Sequence, residues 1–336
     1  MSISIAGFPQ VWQKPSAEDL LASLKRLQVE PPIWNPSTPR RIILETYQNA
    51  AQFRREVAAY LSSIIKSNLG WIQDDDKKEA LWDEASRRLS ERCGRAAMGE
   101  ITRRWLFETQ ASSPFELVIR EPPIIGDCLG LKTWASSYVL AQSLDKIAQE
   151  SLSHLLELGS PNQSLEILEL GSGTGLLGMA AAVIWQTNVI LTDLPSIVPN
   201  LVYNIEKNRA SIGALGGSVD SDLLTWGSDD DNAKRFDKKN QFKIVLAADS
   251  LYDDDHPELL SSAIHAHLAE DKAARAVVMV PQRDLTTKRL VANFLSVMAD
   301  SGLTVLEEHT LTGQDDWDEE EDNSRIECWL VVFGRQ

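Results

Sequence analysis

The sequence predicts an α/β fold built on a doubly wound, mainly parallel sheet that ends in an antiparallel hairpin. Short apolar runs typical of buried strands recur between residues 115 and 335, and helical patterns lie between most of them. One run leads directly into three closely spaced glycines. The last two runs are joined by residues 311–326 without a helical pattern, which favours an antiparallel pair.

The first 112 residues predict helices and no strand. A capping signature, Ser16-Ala-Glu-Asp, opens the first helix, and residues 42–67 and 77–98 carry apolar residues at helical spacing. This part of the chain has no motif with catalytic residues. We therefore expect a helical segment over residues 1–112 and a separate α/β domain over residues 113–336.

The α/β domain begins with a strand pattern at residues 115–121, a turn at 122–130 and an amphipathic helix pattern at 133–148. The remaining strand patterns alternate with helix patterns, as in a parallel sheet with helices on both faces. In chain order these strand patterns cover residues 165–170, 188–193, 218–224, 241–248, 275–280, 303–310 and 327–333.

Composition and charge limit the classes of function. Hydrophobic residues make up 43% and charged residues 24% of the chain, and no run reaches the roughly 18 apolar residues of a membrane span. Residues 1–7 lack the basic start and long apolar stretch of a signal peptide, so we expect a cytoplasmic protein without a membrane partner. The formal net charge of −16 makes a nucleic-acid partner less favourable than a protein partner.

Cysteine and histidine spacing predicts neither a disulfide framework nor a metal site. The three cysteines are odd in number and far apart along the chain. His265 and His267 are two residues apart on a predicted helix, so their rings point away from each other. The acidic run at residues 315–322 lies in the predicted hairpin connection, where it is either a solvated loop or an electrostatic rim for a substrate.

Residues 165–175, Leu-Glu-Ile-Leu-Glu-Leu-Gly-Ser-Gly-Thr-Gly, predict a strand that enters a glycine-rich turn ahead of a helix. Gly171 and Gly173, with Ser172 between them, allow the backbone to approach a ligand closely. Read from Gly173, the residues also match the dinucleotide pattern, but the strand would then end too early. Glu169 would repel a pyrophosphate and attract an amino group, which favours S-adenosylmethionine over NAD; the alternative is a purely structural turn.

The strand pattern at residues 188–193 ends in Asp193, which follows Gly171 by 22 residues. At this spacing a carboxylate reaches the ribose hydroxyls of a nucleotide-like cofactor. We therefore predict that Asp193 holds the ribose. The alternative is a turn or helix cap just ahead of Leu194.

Asp249 and Tyr252 follow the strand pattern at residues 241–248, which should neighbour the glycine strand. In a doubly wound sheet, ligands bind beyond the carboxyl ends of the strands where the strand order reverses. This loop should therefore border the bound ligand. For Asp249 the alternative is a turn residue ahead of the next helix.

Four motifs occur along the α/β domain. In chain order they are Gly130-Leu-Lys-Thr-Trp134, Glu169-Leu-Gly-Ser-Gly-Thr-Gly175, Thr225-Trp226-Gly227 and Asp249-x-x-Tyr252. Together they resemble the family 16 seven-β-strand protein-lysine methyltransferases over residues 115–335. The stretch from Arg120 to Trp134 is most similar to the fungal branch that methylates translation elongation factors, particularly elongation factor 2.

The resemblance implies a Rossmann-like seven-strand sheet, S-adenosylmethionine as cofactor, and a protein lysine as substrate, in a translation elongation factor. It also implies that Trp134 and Trp226 contact the cofactor, that Gly171 to Gly173 cradle its methionine end, and that Ala248 lines the pocket. Core packing is the alternative for each tryptophan, because the chain has ten of them.

Methyl transfer to lysine needs a neutral amine in line with the sulfonium methyl, so the site must position the amine and help it lose a proton. Asp249 is the candidate that accepts or orients the ammonium, and Tyr252 the candidate that shapes the channel. Residues 1–112 are the candidate for substrate recruitment, and we expect a monomer. A methyltransferase for RNA or a small molecule is the runner-up, although the loop lacks the two prolines of an Asn/Asp-Pro-Pro-Tyr type; a non-catalytic cofactor-binding partner protein is the third interpretation.

Overall fold

The computed structural model describes residues 5–27, 55–90, 100–109, 113–123, 128–156, 165–228, 232–314 and 325–335. They form two compact units, one ending at Ile101 and one beginning at Thr102, and each is described by itself. Parts of two predicted helices, at residues 42–54 and 91–98, and the acidic run at residues 315–322 lie outside the described residues.

The first unit is helical, as predicted. It contains α1 (Ala17–Arg26), α2 (residues 55–65) and α3 (Asp75–Ser90). Ser16 caps α1, because its hydroxyl accepts a hydrogen bond from the backbone N–H of Asp19 at 3.1 Å. The helices enclose a core of fully buried apolar side chains, which includes Leu20, Leu24, Leu61, Ile64, Leu69 and Leu81.

The second unit contains strands and helices in alternation, and β1 begins one residue before it. The strands are β1 (Ile101–Phe107), β2 (Phe115–Glu121), β3 (Glu166–Leu170), β4 (Asn188–Asp193), β5 (Ser218–Leu223), β6 (Ile244–Ala248), β7 (Arg275–Pro281), β8 (Leu303–Gln314) and β9 (Arg325–Arg335). The helices are α4 (Ala135–Glu150), α5 (Leu176–Ile184), α6 (Val198–Ala214), α7 (His256–His267) and α8 (Leu285–Asp300).

Within the described ranges, β3 to β9 form a seven-stranded sheet in the order β5-β4-β3-β6-β7-β9-β8. The first five strands of this order pair in parallel, and β9 is antiparallel to both β7 and β8. The predicted α/β fold with its antiparallel hairpin is therefore confirmed. Leu168 of β3 lies opposite Ile190 on one side and Val245 on the other, and all three side chains are buried.

The strand predicted at residues 115–121 is present as β2, but it pairs with β1 in a separate two-stranded sheet. The presence of β1 corrects the expectation that the chain up to residue 112 is helical throughout. Buried and more exposed residues alternate along β1. Trp105 and Phe107 pack against Tyr138 of α4, with ring centroids 4.8 Å and 5.8 Å away, so β1 belongs to the core beside the sheet.

Asparagines at four-residue spacing on α6 bond the backbone of β2. Asn204 Oδ1 accepts from the N–H of Arg120 at 2.8 Å, and Asn208 Oδ1 accepts from the N–H of Val118 at 2.8 Å. Their amide nitrogens donate to the carbonyl oxygens of the same two residues. These side chains satisfy backbone groups that a third strand would otherwise bond, and they fix β2 against α6.

Candidate functional site

A cavity of about 590 Å³ lies at the carboxyl ends of β3, β4 and β6. The strand order reverses there, because the chain runs from β3 to β5 on one side of the sheet and from β6 to β7 on the other. The volume is typical of small-molecule sites, which span roughly 300–1,000 Å³. The ten residues predicted for the site all line this cavity: Trp134, Glu169, Gly171, Ser172, Gly173, Asp193, Trp226, Ala248, Asp249 and Tyr252.

The glycine turn between β3 and α5 needs glycine for two reasons. Gly171 and Gly173 have φ angles of 67° and 57°, which side chains rarely tolerate. A Cβ atom on Gly173 would lie 3.1 Å from the backbone oxygen of Gly130, and one on Gly171 would lie 3.3 Å from the ring of Trp226. The turn therefore packs directly against both predicted tryptophan-bearing segments. Ser172 fixes the turn to β4, because its hydroxyl accepts from the N–H of Thr192 at 3.0 Å.

Asp193 at the end of β4 bonds the glycine turn. One carboxylate oxygen accepts from the N–H of Gly173 at 2.7 Å, and the other accepts from the N–H of Leu194 at 2.7 Å. Burial raises the pKa of this carboxyl above its ordinary value. The bond to Leu194 is the local turn contact that the sequence allowed. Each oxygen keeps a second lone pair, so ribose hydroxyls can still donate to Asp193.

Glu169 lies beneath the glycine turn and is almost fully buried. Its Oε2 atom accepts from the N–H of Gly178 in α5 at 3.1 Å. Burial raises the pKa of the carboxyl to about 8, against an ordinary value of 4.5. A cationic group bound in the cavity next to this carboxyl would favour its ionised form and lower that pKa.

Two tryptophans flank the glycine turn. The ring of Trp134 has the Lys132 ammonium 4.5 Å and the Arg283 guanidinium 5.0 Å from its centroid. Both distances fit cation–π contacts. Trp226, which lies against Gly171, forms an edge contact with His256 at 6.1 Å. Both indoles belong to the cavity wall, and neither is buried in the core of the sheet.

Asp249 directly follows β6 and has a φ angle of 57°, a conformation that aspartate and asparagine adopt more readily than most residues. Its side chain is 7% exposed and forms a two-bond ion pair with Arg283, with both N–O distances 2.9 Å. Ser136 donates a further hydrogen bond to Oδ2 at 2.8 Å. The carboxylate that we predicted to meet a lysine ammonium is thus already paired with a cation of the same chain.

Tyr252 lies at the mouth of the cavity and is 55% exposed. Its ring contacts His256 edge to face, with the centroids 4.3 Å apart. Partial burial raises the pKa of the Tyr252 hydroxyl and lowers the pKa of His256. The pair therefore forms an aromatic wall whose histidine is held toward its neutral form.

The structure adds residues that the sequence reasoning missed. Arg283 follows β7 by two residues, so the rule that placed Asp249 at a strand end would also have found it. Asn204 is marked by the four-residue asparagine spacing on α6, and its amide donates to the carbonyl oxygen of Thr174 at 3.0 Å. The Thr174 hydroxyl in turn bonds the hydroxyl of Thr133 at 2.7 Å. These contacts join the glycine turn to β2 and to the segment that carries Trp134.

The described ranges contain no group of three or more histidine, cysteine, aspartate or glutamate side chains able to hold a metal ion. In the same ranges, no helix combines the length and the apolar character needed to cross a bilayer.

Comparisons with known proteins identify the relatives of this chain. A family model described as lysine methyltransferase matches residues 115–299. The protein-lysine N-methyltransferase rrg1 of Schizosaccharomyces pombe is 31% identical over 274 residues, which cover 81% of this chain and 80% of that protein. The protein-lysine N-methyltransferase EFM2 of Saccharomyces cerevisiae is 33% identical over 270 residues, which cover 77% of this chain but only 61% of that protein.

Solved structures give a more distant likeness. An arsenic(III) S-adenosylmethionine methyltransferase from Chlamydomonas reinhardtii has a TM-score of 0.37 and 15% identity, over 52% of this chain and 64% of that chain. A likeness at that level supports no conclusion about activity.

Proposed function

The chain belongs to the lysine methyltransferase family, and on that premise we propose that it transfers a methyl group from S-adenosylmethionine to the side-chain amine of a protein lysine. One observation carries the proposal. The glycine turn, Asp193 and Asp249 border a single cavity at the point where the strand order of the sheet reverses. Groups suited to a nucleotide-like cofactor and a carboxylate suited to an amine thus lie in the same cavity.

The lining of the cavity fits S-adenosylmethionine. The glycine turn leaves no side chain over Gly171 and Gly173, Asp193 keeps acceptor sites for ribose hydroxyls, and the buried carboxyl of Glu169 suits an amino group. Trp226 offers its ring to an adenine or a sulfonium, and Trp134 lines the same cavity with Lys132 and Arg283 over its own ring. When bound, the cofactor supplies a methyl carbon on a positively charged sulfur, which an amine nitrogen attacks in line.

On the substrate side, the residues of the chain position the amine. Asp249 is held by Arg283 and Ser136, and the lone pair that remains on its Oδ1 can orient an amine N–H. Tyr252 and His256 form an aromatic wall at the mouth, whose rings suit the methylene stem of a lysine. In this scheme the lysine loses its proton to water before its nitrogen attacks the methyl carbon.

We propose a translation elongation factor, of the elongation factor 2 type, as the methylated protein. Two observations support this substrate: the sequence from Arg120 to Trp134 resembles the fungal branch that acts on such factors, and both relatives named above are fungal protein-lysine methyltransferases. We further propose that the protein is a cytoplasmic monomer. A mass-spectrometric search for methyl-lysine in the purified factor, with and without the enzyme, tests the substrate.

We also propose that the helical first unit recruits the substrate protein. The family match begins only at residue 115, and the sequence before it has no catalytic motif. A shortened chain that begins at Glu100 should bind S-adenosylhomocysteine as the whole chain does but methylate the intact factor poorly. Undiminished methylation of the factor by the shortened chain would refute the recruiting role.

The experiment that tests the main proposal uses the whole chain, S-adenosylmethionine labelled on the methyl group, and a cell extract. We expect the label in protein, and methyl-lysine after acid hydrolysis. Label in RNA or in a small molecule would favour the runner-up activities. Tight binding of S-adenosylhomocysteine without transfer of label would favour a non-catalytic partner protein.

A further inference from the structure

Arg283 and Asp249 form an ion pair in the wall of the cavity that carries the proposed amine site. The guanidinium meets the carboxylate with two parallel hydrogen bonds of 2.9 Å each. Asp249 is 7% exposed and Arg283 is 30% exposed, so water screens the pair only in part. The planar guanidinium of an arginine fixes the orientation of the carboxylate and also balances its charge. A lysine in the same place would balance the charge alone.

Other contacts hold each partner of the pair in place. Ser136 donates to Asp249 Oδ2 at 2.8 Å, and the backbone N–H of Asp249 donates to the carbonyl oxygen of Met279 in β7 at 2.9 Å. The guanidinium also lies 5.0 Å from the centroid of the Trp134 ring. The carboxylate therefore presents a fixed face to the cavity.

A lone carboxylate beside a substrate lysine would have two opposing effects. It would attract the ammonium into the site, but it would also raise the pKa of that ammonium, because an opposite charge nearby stabilises the charged form. Attack on a methyl carbon requires the neutral amine. Each unit by which the lysine pKa rises lowers the neutral fraction about tenfold at neutral pH. An unpaired Asp249 would thus bind the substrate in its unreactive form.

We propose that Arg283 is a positioning residue that neutralises and orients Asp249, so that the substrate lysine enters and reacts as a neutral amine. The inference rests on the proposed lysine methyltransferase activity. The lysine proton passes to water, the two-bond pair balances the charge of Asp249, and the lone pair that remains on Asp249 Oδ1 accepts an N–H of the amine and so directs its nitrogen.

Other charged and titratable groups face the same cavity from the elements around it, and they stay in place when Arg283 is replaced. Their effects are therefore common to the variant and the wild type. They are Cys128, Lys132 beside Trp134, Glu169 of β3, Asp193 of β4, and Tyr252 and His256 after β6. Asp284, next to Arg283 in the chain, caps α8.

The test compares Arg283→Gln with the wild-type whole chain. The initial rate of methyl-lysine formation on extract proteins is measured between pH 6 and pH 10. We expect Arg283→Gln to be about tenfold slower or more at pH 7, with the loss shrinking as pH rises, because the lysine then deprotonates without help. Arg283→Lys should recover part of the rate, since it restores the charge without the fork. S-adenosylhomocysteine affinity should change less than about threefold in both variants.

Arg289→Gln is the matched control. Arg289 forms one bond of 2.6 Å with Asp254, and both side chains are mostly exposed, at 62% and 73%. Such a pair contributes little. This variant removes an arginine six positions further along the chain and outside the cavity, so its pH profile should equal that of the wild type.

A double variant separates action through Asp249 from an independent role. Asp249→Asn alone should slow transfer about 100-fold. If Arg283 acts through Asp249, then adding Arg283→Gln to Asp249→Asn should cause no further loss of rate.

Three results would each overturn the inference. In the double variant, the rate losses of the two single variants could multiply. For Arg283→Gln alone, the pH profile could run parallel to that of the wild type, or the rate could exceed that of the wild type. If Arg283→Gln does not fold, the profile of Arg283→Lys decides by the same criteria. A wild type that forms no methyl-lysine would instead refute the proposed function itself.

Discussion

The side-chain amide of Asn204 donates a hydrogen bond to the carbonyl oxygen of Thr174 at 3.0 Å, and this bond ties α6 to the glycine turn. The same amide group bonds the backbone N–H and carbonyl oxygen of Arg120 in β2. Asn204 is fully buried. One side chain thus connects the turn, the helix and the strand from which the Trp134 segment continues.

We expect Asn204→Ala to weaken the binding of S-adenosylhomocysteine by about tenfold or more. The change leaves the Thr174 carbonyl without this partner, and a buried polar group that loses its bond costs about 1–3 kcal/mol. The glycine turn would then leave the geometry that the ligand needs. Calorimetric titration at constant pH measures the loss.

Asn208→Ala is the control for this variant. Asn208 is also buried and bonds the backbone of Val118 in β2, but none of its hydrogen bonds described above reaches the glycine turn. Both variants should lower the melting temperature, and only Asn204→Ala should lower the affinity. Equal loss of affinity in the two variants would show that Asn204 acts only through stability.

Glu169 should make the stability of the ligand-free protein depend on pH. Its pKa is raised to about 8 in the folded chain, whereas an unfolded chain restores the ordinary 4.5. The folded state therefore binds the proton more tightly, and its stability falls as pH rises from about 4.5 to about 8. Glu169→Gln removes that loss, so its melting temperature relative to wild type should increase between pH 5 and pH 9. A constant difference across this range would contradict the buried, protonated carboxyl.

Binding of the cofactor should release a proton from Glu169. An amino group beside this carboxyl favours its ionised form, so affinity should increase with pH through the range near 8. Calorimetry of S-adenosylhomocysteine at pH 7 in two buffers of different ionisation enthalpy counts the protons released. We expect a release that Glu169→Gln abolishes; equal apparent enthalpies in both buffers would be evidence against contact between Glu169 and the amino group.

Gly173→Val should abolish cofactor binding. The residue has a φ of 57°, and its new Cβ would lie 3.1 Å from the Gly130 oxygen, which is backbone and cannot rotate away. The turn and the Trp134 segment would move apart. Gly213→Ala is the control, because nothing lies within 4 Å of its Cβ position on α6. That change should stabilise the helix by up to about 1 kcal/mol and leave affinity unchanged.

The start of a shortened chain should decide its stability. Glu121 of β2 is fully buried beside Arg103 of β1, with Arg103 Nε 3.5 Å from Glu121 Oε2. A chain that begins at Ser113 removes β1, so Glu121 loses its arginine while it keeps the hydrogen bond from Thr133, and the buried side chains of β1 are lost as well. A chain that begins at Glu100 keeps the pair. Thermal unfolding should therefore be cooperative for the chain from Glu100 and strongly weakened for the chain from Ser113.

Most strands and helices of the second unit follow from local sequence patterns. The strand ends at Asp193 and Ala248 agree with the structure, because apolar runs and strand-ending residues are visible without knowledge of the fold. β1 was missed because Ile101–Phe107 carries two adjacent arginines, and one of them, Arg103, is buried beside Glu121. A buried charge cannot be distinguished from a solvated one until its partner is known.

The sequence by itself determined the α/β class, the glycine turn and the set of residues at the strand ends, because strand periodicity and the demand for glycine at positive φ are local properties. Only the tertiary structure decided what those residues contact. Asp249 meets Arg283, 34 residues later, because the parallel strands β6 and β7 bring their ends to the same edge of the sheet. Asn204 meets Arg120, 84 residues earlier, because α6 packs against β2. The charge that an amine meets at Asp249 is therefore a property of the fold, since the cation that balances it comes from another strand.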